Sequence, residues 1–571
     1  MPDFIYRGPD PDNAIARLTR ASILAVDTET VSLNDYSCIG IGVYWGDSEG
    51  AYFPVLPDMS EHIPLVMWKL SDPSVTKIYH NGNGFDLEVL EQLAREEGFS
   101  SPDDRIEDTS IMAQVHGLPA ALQRIGEDWL GATDLFSISD LFKDYSCKDM
   151  LEVPQSHTAD KCLNDCRTTW QLWHYLRARI SVQQRECYEV DRDLIPILRT
   201  MQAKGIRLRD ELLLNHQERL QRQVLQAKRE CEIEGFNPAS GLQGGYVLAA
   251  RGNILPFTRS KRQLRTDEEA LEELDDPLAQ VILDYRGSAK LLSTYVKPWI
   301  GKDRAYTHYR LDLATGRLAS GRLNSWDTIN RNFQNIPPSM REVFRPDSGI
   351  WSWFDYSQIE LRVLAQIADD KVLKDAYTHN KDVHRITADN TGIPDRDRAK
   401  TFNFAMVYGA SDRIISRRTK IPLDRVKPAR AEWLNLYSGI ARYMRKQQDN
   451  HGDTVDSLFG RRMRLPEPRE DATINPRAFE SHVQKCAINY PIQGTAADII
   501  KRAMIYIDRN YDWDQRIQVH DELVFDGDID LPVLEKTKEP GSELNKLHPL
   551  ANMHPDLCTP FETKKGLVWK K

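Results

Sequence analysis

The sequence predicts a multidomain protein of mixed α/β and α+β class, and three observations carry that expectation. Its 571 residues suffice for about three to five compact units at ~100–200 residues each. Strand-length apolar runs followed by helical periodicity fill residues 1 to about 185. Beyond residue 300, strands return on either side of a long helical section from about 371 to 505. A hydrophobic content of 41% with 28% charged residues is that of an ordinary globular chain, and no stretch nears the roughly 18 uninterrupted apolar residues of a membrane span. The disordered and membrane-spanning classes are excluded on that basis.

Element by element, ASILAVDTET, IGIGVYWG and GAYFPVL read as strands, KIYHNGNG as a strand entering a Gly/Asn turn, and FDLEVLEQLAREEG as a helix. From CYEVDRDLIPILRTMQAKG through ERLQRQVLQAKRECEIEG the period is helical, then breaks at FNPASGLQGGYVLAARGN, which reads as a flexible tip on a helical arm. RAYTHYRLDL, GIWSWFDYSQ and QRIQVHDELVFDG are the later strands. The opening MPDFIYRGPDPDNAIARL places Pro and Asp where an export signal needs an apolar core, so a cytoplasmic location is expected. Eight cysteines without a CxxC framework fit free thiols.

The net charge of −10 is unevenly spread. Residues 1–185 carry 15 Lys and Arg against 29 Asp and Glu, a net −14, whereas the remainder is +4. Local basic clusters, and not the total, decide whether such a chain binds nucleic acid.

Two sets of carboxylates stand out. Asp27 and Glu29 lie two apart at the end of the ILAVDTET strand, a spacing that sends both side chains to one face. Alone, such a pair is open to two readings, a chance surface pair or a metal site. Asp86, after the Gly/Asn turn, and Asp165, read as opening a helix, add two more acids, and four carboxylates from three segments can hold two divalent ions. Farther on, Asp355 ends the apolar strand IWSWF, where an ionised carboxylate needs a cation or hydrogen bonds. Asp521 and Glu522 sit at a hairpin tip between IQV and LVF, which on its own also reads as a solvated turn. Between these acids, Arg396, Lys400, Phe404 and Tyr408 recur every four residues along one helix stripe, two cations followed by two aromatics. That order suits a nucleoside triphosphate, with phosphates on the basic end and base or sugar on the aromatic end. His157, Cys162, Cys166 and His174 also share a helix face, but without a second closed pair they read as packing and not as a zinc cluster.

In this order the motifs resemble DNA polymerase family A, the DNA polymerase I family, over nearly the whole chain. DYSQIELR (355–362) is similar to its motif A, RDRAKTFNFAMVYG (396–409) to motif B and VHDE (519–522) to motif C. TGRLAS, FQNIP, YRGSAKLLSTY and NYPIQGTAADIIKRAMI match further family stretches. The resemblance implies a DNA-directed DNA polymerase: an RNase H-like 3′→5′ exonuclease domain over 1–185, followed by a right hand with thumb near 186–300, palm near 301–370 and 486–571, and fingers near 371–485. It implies Asp355 and Asp521 as polymerase metal ligands with Glu522 beside them, and Asp27, Glu29, Asp86 and Asp165 as exonuclease acids. Each site would use two Mg²⁺, with Mn²⁺ as substitute. Arg396, Lys400 and His384 would contact the triphosphate, Phe404 would line the nucleotide site, Tyr408 would pack at the template base, and Glu360 with Tyr356 would gate against a ribose 2′-hydroxyl. Arg317, Gln493 and His520, and beyond them Arg341 and Asn489, would meet DNA.

The chain departs from the family pattern at one exonuclease position. Family members carry Tyr four residues before the last exonuclease aspartate, whereas Lys161 precedes Asp165 here, and Tyr145 with Asp149 is a rival pair of the same spacing. A charged lysine cannot accept a water proton and instead pairs with a carboxylate or phosphate, so an active but slowed exonuclease is expected. Primer-template DNA and dNTPs are the expected partners of a monomer, with any helicase-primase or single-strand binding protein left open. From a start close to the exonuclease strand no 5′ nuclease is expected, and from a short arm tip no thioredoxin-binding insertion is expected. Compact size and the expected lack of a 5′ nuclease together suggest a bacteriophage replicative enzyme.

Overall fold

The computed structural model describes residues 4–569 except 33–34, 47, 101, 103, 136, 259–262, 322–329, 450–451, 469–475 and 530–560. The first unit is built on strands β1 (Ile5–Arg7), β2 (Ile23–Ser32), β3 (Asp35–Gly46), β4 (Glu49–Pro54), β5 (Thr76–Tyr79) and β6 (Ile106–Asp108), in the sheet order β1-β4-β3-β2-β5-β6. β2 runs antiparallel to β3 and parallel to β5. Its central residues are buried from both sides, as expected of a strand lying inside a mixed sheet covered by helices. Helix α1 (Asp86–Glu97) follows the Gly/Asn turn and stops at Gly98, whose φ of +76° is the left-handed cap that ends many helices. Helix α2 (Gln155–Arg177) packs across β2 and β3. A Cβ on Gly42 would stand 2.6 Å from Cys162 Sγ, so glycine in β3 is what lets the helix approach so closely.

α2 corrects one expectation. Asp165 does not open a helix but lies in the middle of this one, because Ala159, Cys162, Leu163 and Cys166 continue one buried face through the acid's position. The same helix disposes of the zinc reading. Cys162 and Cys166 are buried thiols under β3, His157 packs on Tyr145, and His174 packs on Trp170 and Trp173. Seven cysteines are free thiols; Cys558 lies outside the described residues.

Helix α3 (Val182–Lys204) begins in a capping box formed by Ser181 and Gln184 and braces the first unit, Tyr188 donating to Glu107 Oε2 at 2.7 Å. The arm beyond it consists mainly of α4 (Asp210–Ile233), α5 (Gly241–Ala250) and α6 (Pro277–Leu291). α5 is a second correction, since a flexible tip is expected there and a helix forms. Ser240 caps it, and Gly245 allows Leu264 to within 3.0 Å of where a Cβ would be, so the glycines serve close packing around Phe236, Leu248 and Ile282.

The second unit centres on β7 (Trp351–Tyr356). Its period of two sends Trp351 and Trp353 into one apolar cluster and Phe354 into another. After it come α7 (Ile359–Ile367), α8 (Val383–Thr391), α9 (Arg396–Val407), α10 (Leu423–Leu436) and the long α11 (Pro476–Asn510). A two-stranded pair, Thr454–Asp456 with Arg462–Arg464, interrupts the stretch expected to be helical throughout. β8 (Asp514–Val519), β9 (Glu522–Asp526) and β10 (Phe561–Gly566) complete an antiparallel sheet in the order β8-β9-β7-β10.

A buried ionic network ties α3 to α11. Arg461 reaches Asp191 at 2.6 Å and Asp498 at 2.6 Å, and Lys501 reaches Asp191 at 2.5 Å, with all four side chains at most 3% exposed. Removing one member of such a network leaves charge buried without compensation, which costs about 3–5 kcal/mol. Arg461→Met should therefore lower the thermal midpoint of the full chain markedly; a melt superimposing on the wild type would show that the network contributes nothing.

Candidate active sites

The second unit holds a cavity of about 730 Å³ where β7, the β8–β9 turn and α9 meet. Asp355 reaches it from the end of β7 and Asp521 from the turn, and Tyr356 N donates to Asp521 O at 3.0 Å, fixing the two acid-bearing segments side by side. His520 adopts φ +55° in that turn, and its N–H donates to Gln334 Oε1 at 2.8 Å. Left-handed residues are what a two-residue hairpin needs at its tip.

Opposite the acids, the stripe on α9 is realised as one wall. Arg396, Lys400, Phe404 and Tyr408 all line the cavity, with both cations exposed at its outer end. Tyr408 donates its hydroxyl to the Glu360 carboxylate, and burial first, then Glu360, raises the tyrosine's pKa above its ordinary value. Tyr356 lies beside them, its pKa also raised by burial, and Arg317, Gln493 and His520 complete the rim.

His384 is 1% exposed yet lines the same cavity. Its tautomer follows from the groups behind it. The Trp433 indole N–H can only donate, and it does so to Asn403 Oδ1 at 2.7 Å. That fixes the Asn403 amide, whose Nδ2 then donates to His384 Nδ1 at 3.0 Å. The proton therefore sits on Nε2, a buried donor with no partner among the described residues. Burial is the main cause that lowers this histidine's pKa to about 4, so the ring is neutral near pH 7. Asp382 caps α8 by accepting from His384 N at 2.9 Å and from Arg385 N at 3.2 Å, and it also pairs with Arg396 at 2.5 Å. Asp382, Asn403 and Trp433 were missed by reasoning from the sequence; the available signal was polar Asn403 on the buried side of the very helix whose other face carries the stripe.

Three expected residues do not line this cavity. Glu522 is opposite Asp355 in the ladder but fully buried, its oxygens taken by Arg341 Nη1 at 2.8 Å and Trp569 Nε1 at 2.6 Å. Arg341, expected on DNA, is 4% exposed and stacks over the Trp569 ring at 4.0 Å. Asn489, also expected on DNA, is buried and donates to Lys485 O at 2.8 Å within α11. The buried Arg341 guanidinium thus compensates the Glu522 charge.

The first unit has its own cavity, of about 530 Å³, lined by Asp27, Glu29, Asp86 and Lys161. The ligand atoms of Asp27, Glu29 and Cys162 lie within 4.8 Å of one another. Burial pushes Asp27 well above the usual carboxylate range and raises Glu29, in both cases against the pull of Lys161. Asp86 is pushed up to about 7, again by burial and against two hydrogen bonds from Thr28 at 2.9 and 2.8 Å. Asp27 Oδ2 is buried with no hydrogen-bond partner among the described residues, so the donor set fits a hard divalent cation at Asp27. Burial raises the Cys162 thiol above its ordinary pKa. Asp165 joins the group through Lys161, whose Nζ bonds Glu29 at 2.7 Å and Asp165 at 2.9 Å. The rival pair does not: Asp149 caps the turn at Met150–Glu152 and Tyr145 packs on His157.

Two cavities are each lined by acids brought together from separate segments, and a basic wall faces one of them. The chain belongs to DNA polymerase family A, whose sequence pattern matches residues 208–536, and a pattern described as 3′-5′ exonuclease matches residues 4–181. It is 29% identical to DNA polymerase I of Pseudomonas aeruginosa over 91% of this chain and 61% of that one. It is 30% identical to DNA polymerase I of Chloroflexus aurantiacus over 96% and 61% respectively. The chain thus spans about three fifths of the length of these curated relatives. Among solved structures it resembles the POL domain of Pol1 from M. smegmatis, in complex with DNA primer-template and dNTP, with TM-score 0.71 and 22% identity over 98% of this chain and 99% of that one.

The His384 arrangement has a spectroscopic consequence. Because its folded pKa of about 4 lies below the ordinary 6.5, the unfolded chain binds more protons between those values. This group's contribution to stability is therefore complete above about pH 6.5 and is lost as pH falls toward 4. ¹⁵N NMR should show His384 as the Nε2–H tautomer with a midpoint near pH 4; a midpoint near 6.5 or the other tautomer would refute the arrangement.

Proposed function

We propose that this chain is a DNA-directed DNA polymerase that extends a primer with dNTPs on a DNA template, and that its first unit removes 3′-terminal nucleotides in the 3′→5′ direction. The observation that carries the reading is that the basic-then-aromatic stripe of α9 faces Asp355 and Asp521 across one cavity. The fold of a neighbour solved with primer-template and dNTP supports it, as do the polymerase names of the relatives.

In this reading Arg396 and Lys400 take the triphosphate at the exposed end of the stripe, and the His384 Nε2–H donates to a phosphate oxygen without adding charge. Phe404 and Tyr408 present aromatic faces to base and sugar. Glu360, held by the Tyr408 hydroxyl, crowds a 2′-hydroxyl and so selects deoxyribonucleotides, with Tyr356 behind it. Arg317, Gln493 and His520 meet the primer-template at the rim. Asp355 and Asp521 would hold two Mg²⁺, which would supply a lowered pKa at the primer 3′-hydroxyl and neutralise charge developing on pyrophosphate. Glu522, locked on Arg341 and Trp569, holds its segment in register beside Asp521. Asp27, Glu29, Asp86 and Asp165 serve the exonuclease. The arm acts as thumb over 186–300, the helical section 371–485 as fingers, and the sheet segments 301–370 and 486–571 as palm. The relatives named above are bacterial enzymes, and a bacterial repair or replication polymerase is the context they favour over a phage genome.

Because the two sets of acids stand on separate units, the activities should separate. Asp355→Ala should abolish primer extension while single-strand degradation continues, and Asp27→Ala with Glu29→Ala should do the reverse. Extension assays with dNTP or rNTP, with and without Mg²⁺, alongside degradation of a labelled single strand, read this out. Normal extension by Asp355→Ala would overturn the assignment of the second cavity, and efficient rNTP incorporation by the wild type would overturn the choice of DNA as product.

A further inference from the structure

Lys161 is unusual in its setting. It is 9% exposed at the side chain and sits within hydrogen-bond distance of two carboxylates on different elements, Glu29 on β2 and Asp165 on α2. A single positive nitrogen thus bridges two acids drawn from separate segments, which is the task a divalent ion performs in a carboxylate site. Asp27 Oδ2, by contrast, is buried and without a partner among the described residues, and Asp86 keeps one oxygen on Thr28.

Resting on the exonuclease reading above, we propose that the Lys161 ammonium is a built-in cation of this centre. It stands on the Glu29–Asp165 pair in place of one divalent ion, so that the centre takes a single ion on the Asp27–Asp86 side. The lysine replaces an exchangeable, doubly charged ligand holder with a tethered single charge. It keeps the acids together without metal, and it cannot activate a bound water as a cation of higher charge does. Folding of the first unit then does not wait on metal, and occupancy of the site by Mg²⁺ depends on one weak position instead of two.

The test counts ions and does not depend on activity. In full-length chain carrying Asp355→Asn and Asp521→Asn throughout, to silence the other cavity, Mn²⁺ binding is followed by the EPR signal of free Mn²⁺. Adding Asp27→Asn with Glu29→Gln should remove one Mn²⁺ per chain. Two ions lost would overturn the proposal while upholding the exonuclease carboxylates; none lost would overturn both. Lys161→Met should gain a second Mn²⁺ or bind at least tenfold more tightly, and its melting temperature should fall in EDTA and recover with Mn²⁺. Lys161→Arg, which keeps the charge, should behave as the parent does and guards against a Met variant that fails to fold. Identical Mn²⁺ stoichiometry and affinity in folded Lys161→Met and its parent would refute a cation role.

Discussion

The cost of taking carboxylates out of water organises this molecule. Desolvation penalises an ionised acid by several kcal/mol unless a counter-charge or hydrogen bonds replace the lost water. The chain meets that cost in two ways. Some acids are compensated internally: Asp191 and Asp498 by Arg461 and Lys501, Glu522 by Arg341 and Trp569, and Asp86 in part by Thr28. These pairings lock elements that are far apart in sequence. Others face a cavity, Asp27 from within β2 in the first unit and Asp355 with Asp521 in the second. Structure and chemistry thus draw on the same physical term with opposite outcomes.

The same burial gives groups lining the second cavity their states. His384 is neutral because it is buried and because a chain of one-way hydrogen bonds from Trp433 through Asn403 assigns its proton. Asp382 holds Arg396 and the start of α8 together, so cation and histidine are placed by one carboxylate. A helix stripe alone cannot do this. It needs a second helix, capped at the right residue, and an aromatic donor from a third.

How much of this was legible in the sequence depended on range. The strand runs, the Gly/Asn turn before Asp86 and the period-four stripe of α9 could be read because spacing along one element fixes which side chains share a face. Reading failed where a partner distant in sequence decides. The glycines around 241–245 look like a flexible tip until the Phe236 and Leu264 contacts they permit are seen. Arg341 looks available for DNA until Glu522 and Trp569 claim it, and no spacing rule links positions 341, 522 and 569. Asp165 looked like a helix start because its neighbourhood is polar, but the buried face that carries α2 through it is set by the sheet beneath. Lys161 was conspicuous as a departure from a family pattern, yet its bridging of Glu29 and Asp165 is a fact of three dimensions.

The central claim, that the acids facing the two cavities are the ones that take cations while acids locked in buried ion pairs do not, is tested most directly by anomalous diffraction from Mn²⁺-soaked crystals of the chain with primer-template and dNTP. The account expects density between Asp355 and Asp521 and at Asp27, and none on Glu522 or on Asp191 and Asp498. Manganese on Glu522 with Arg341 displaced, or an Asp355–Asp521 pair that stays empty while nucleotide is bound, would contradict it.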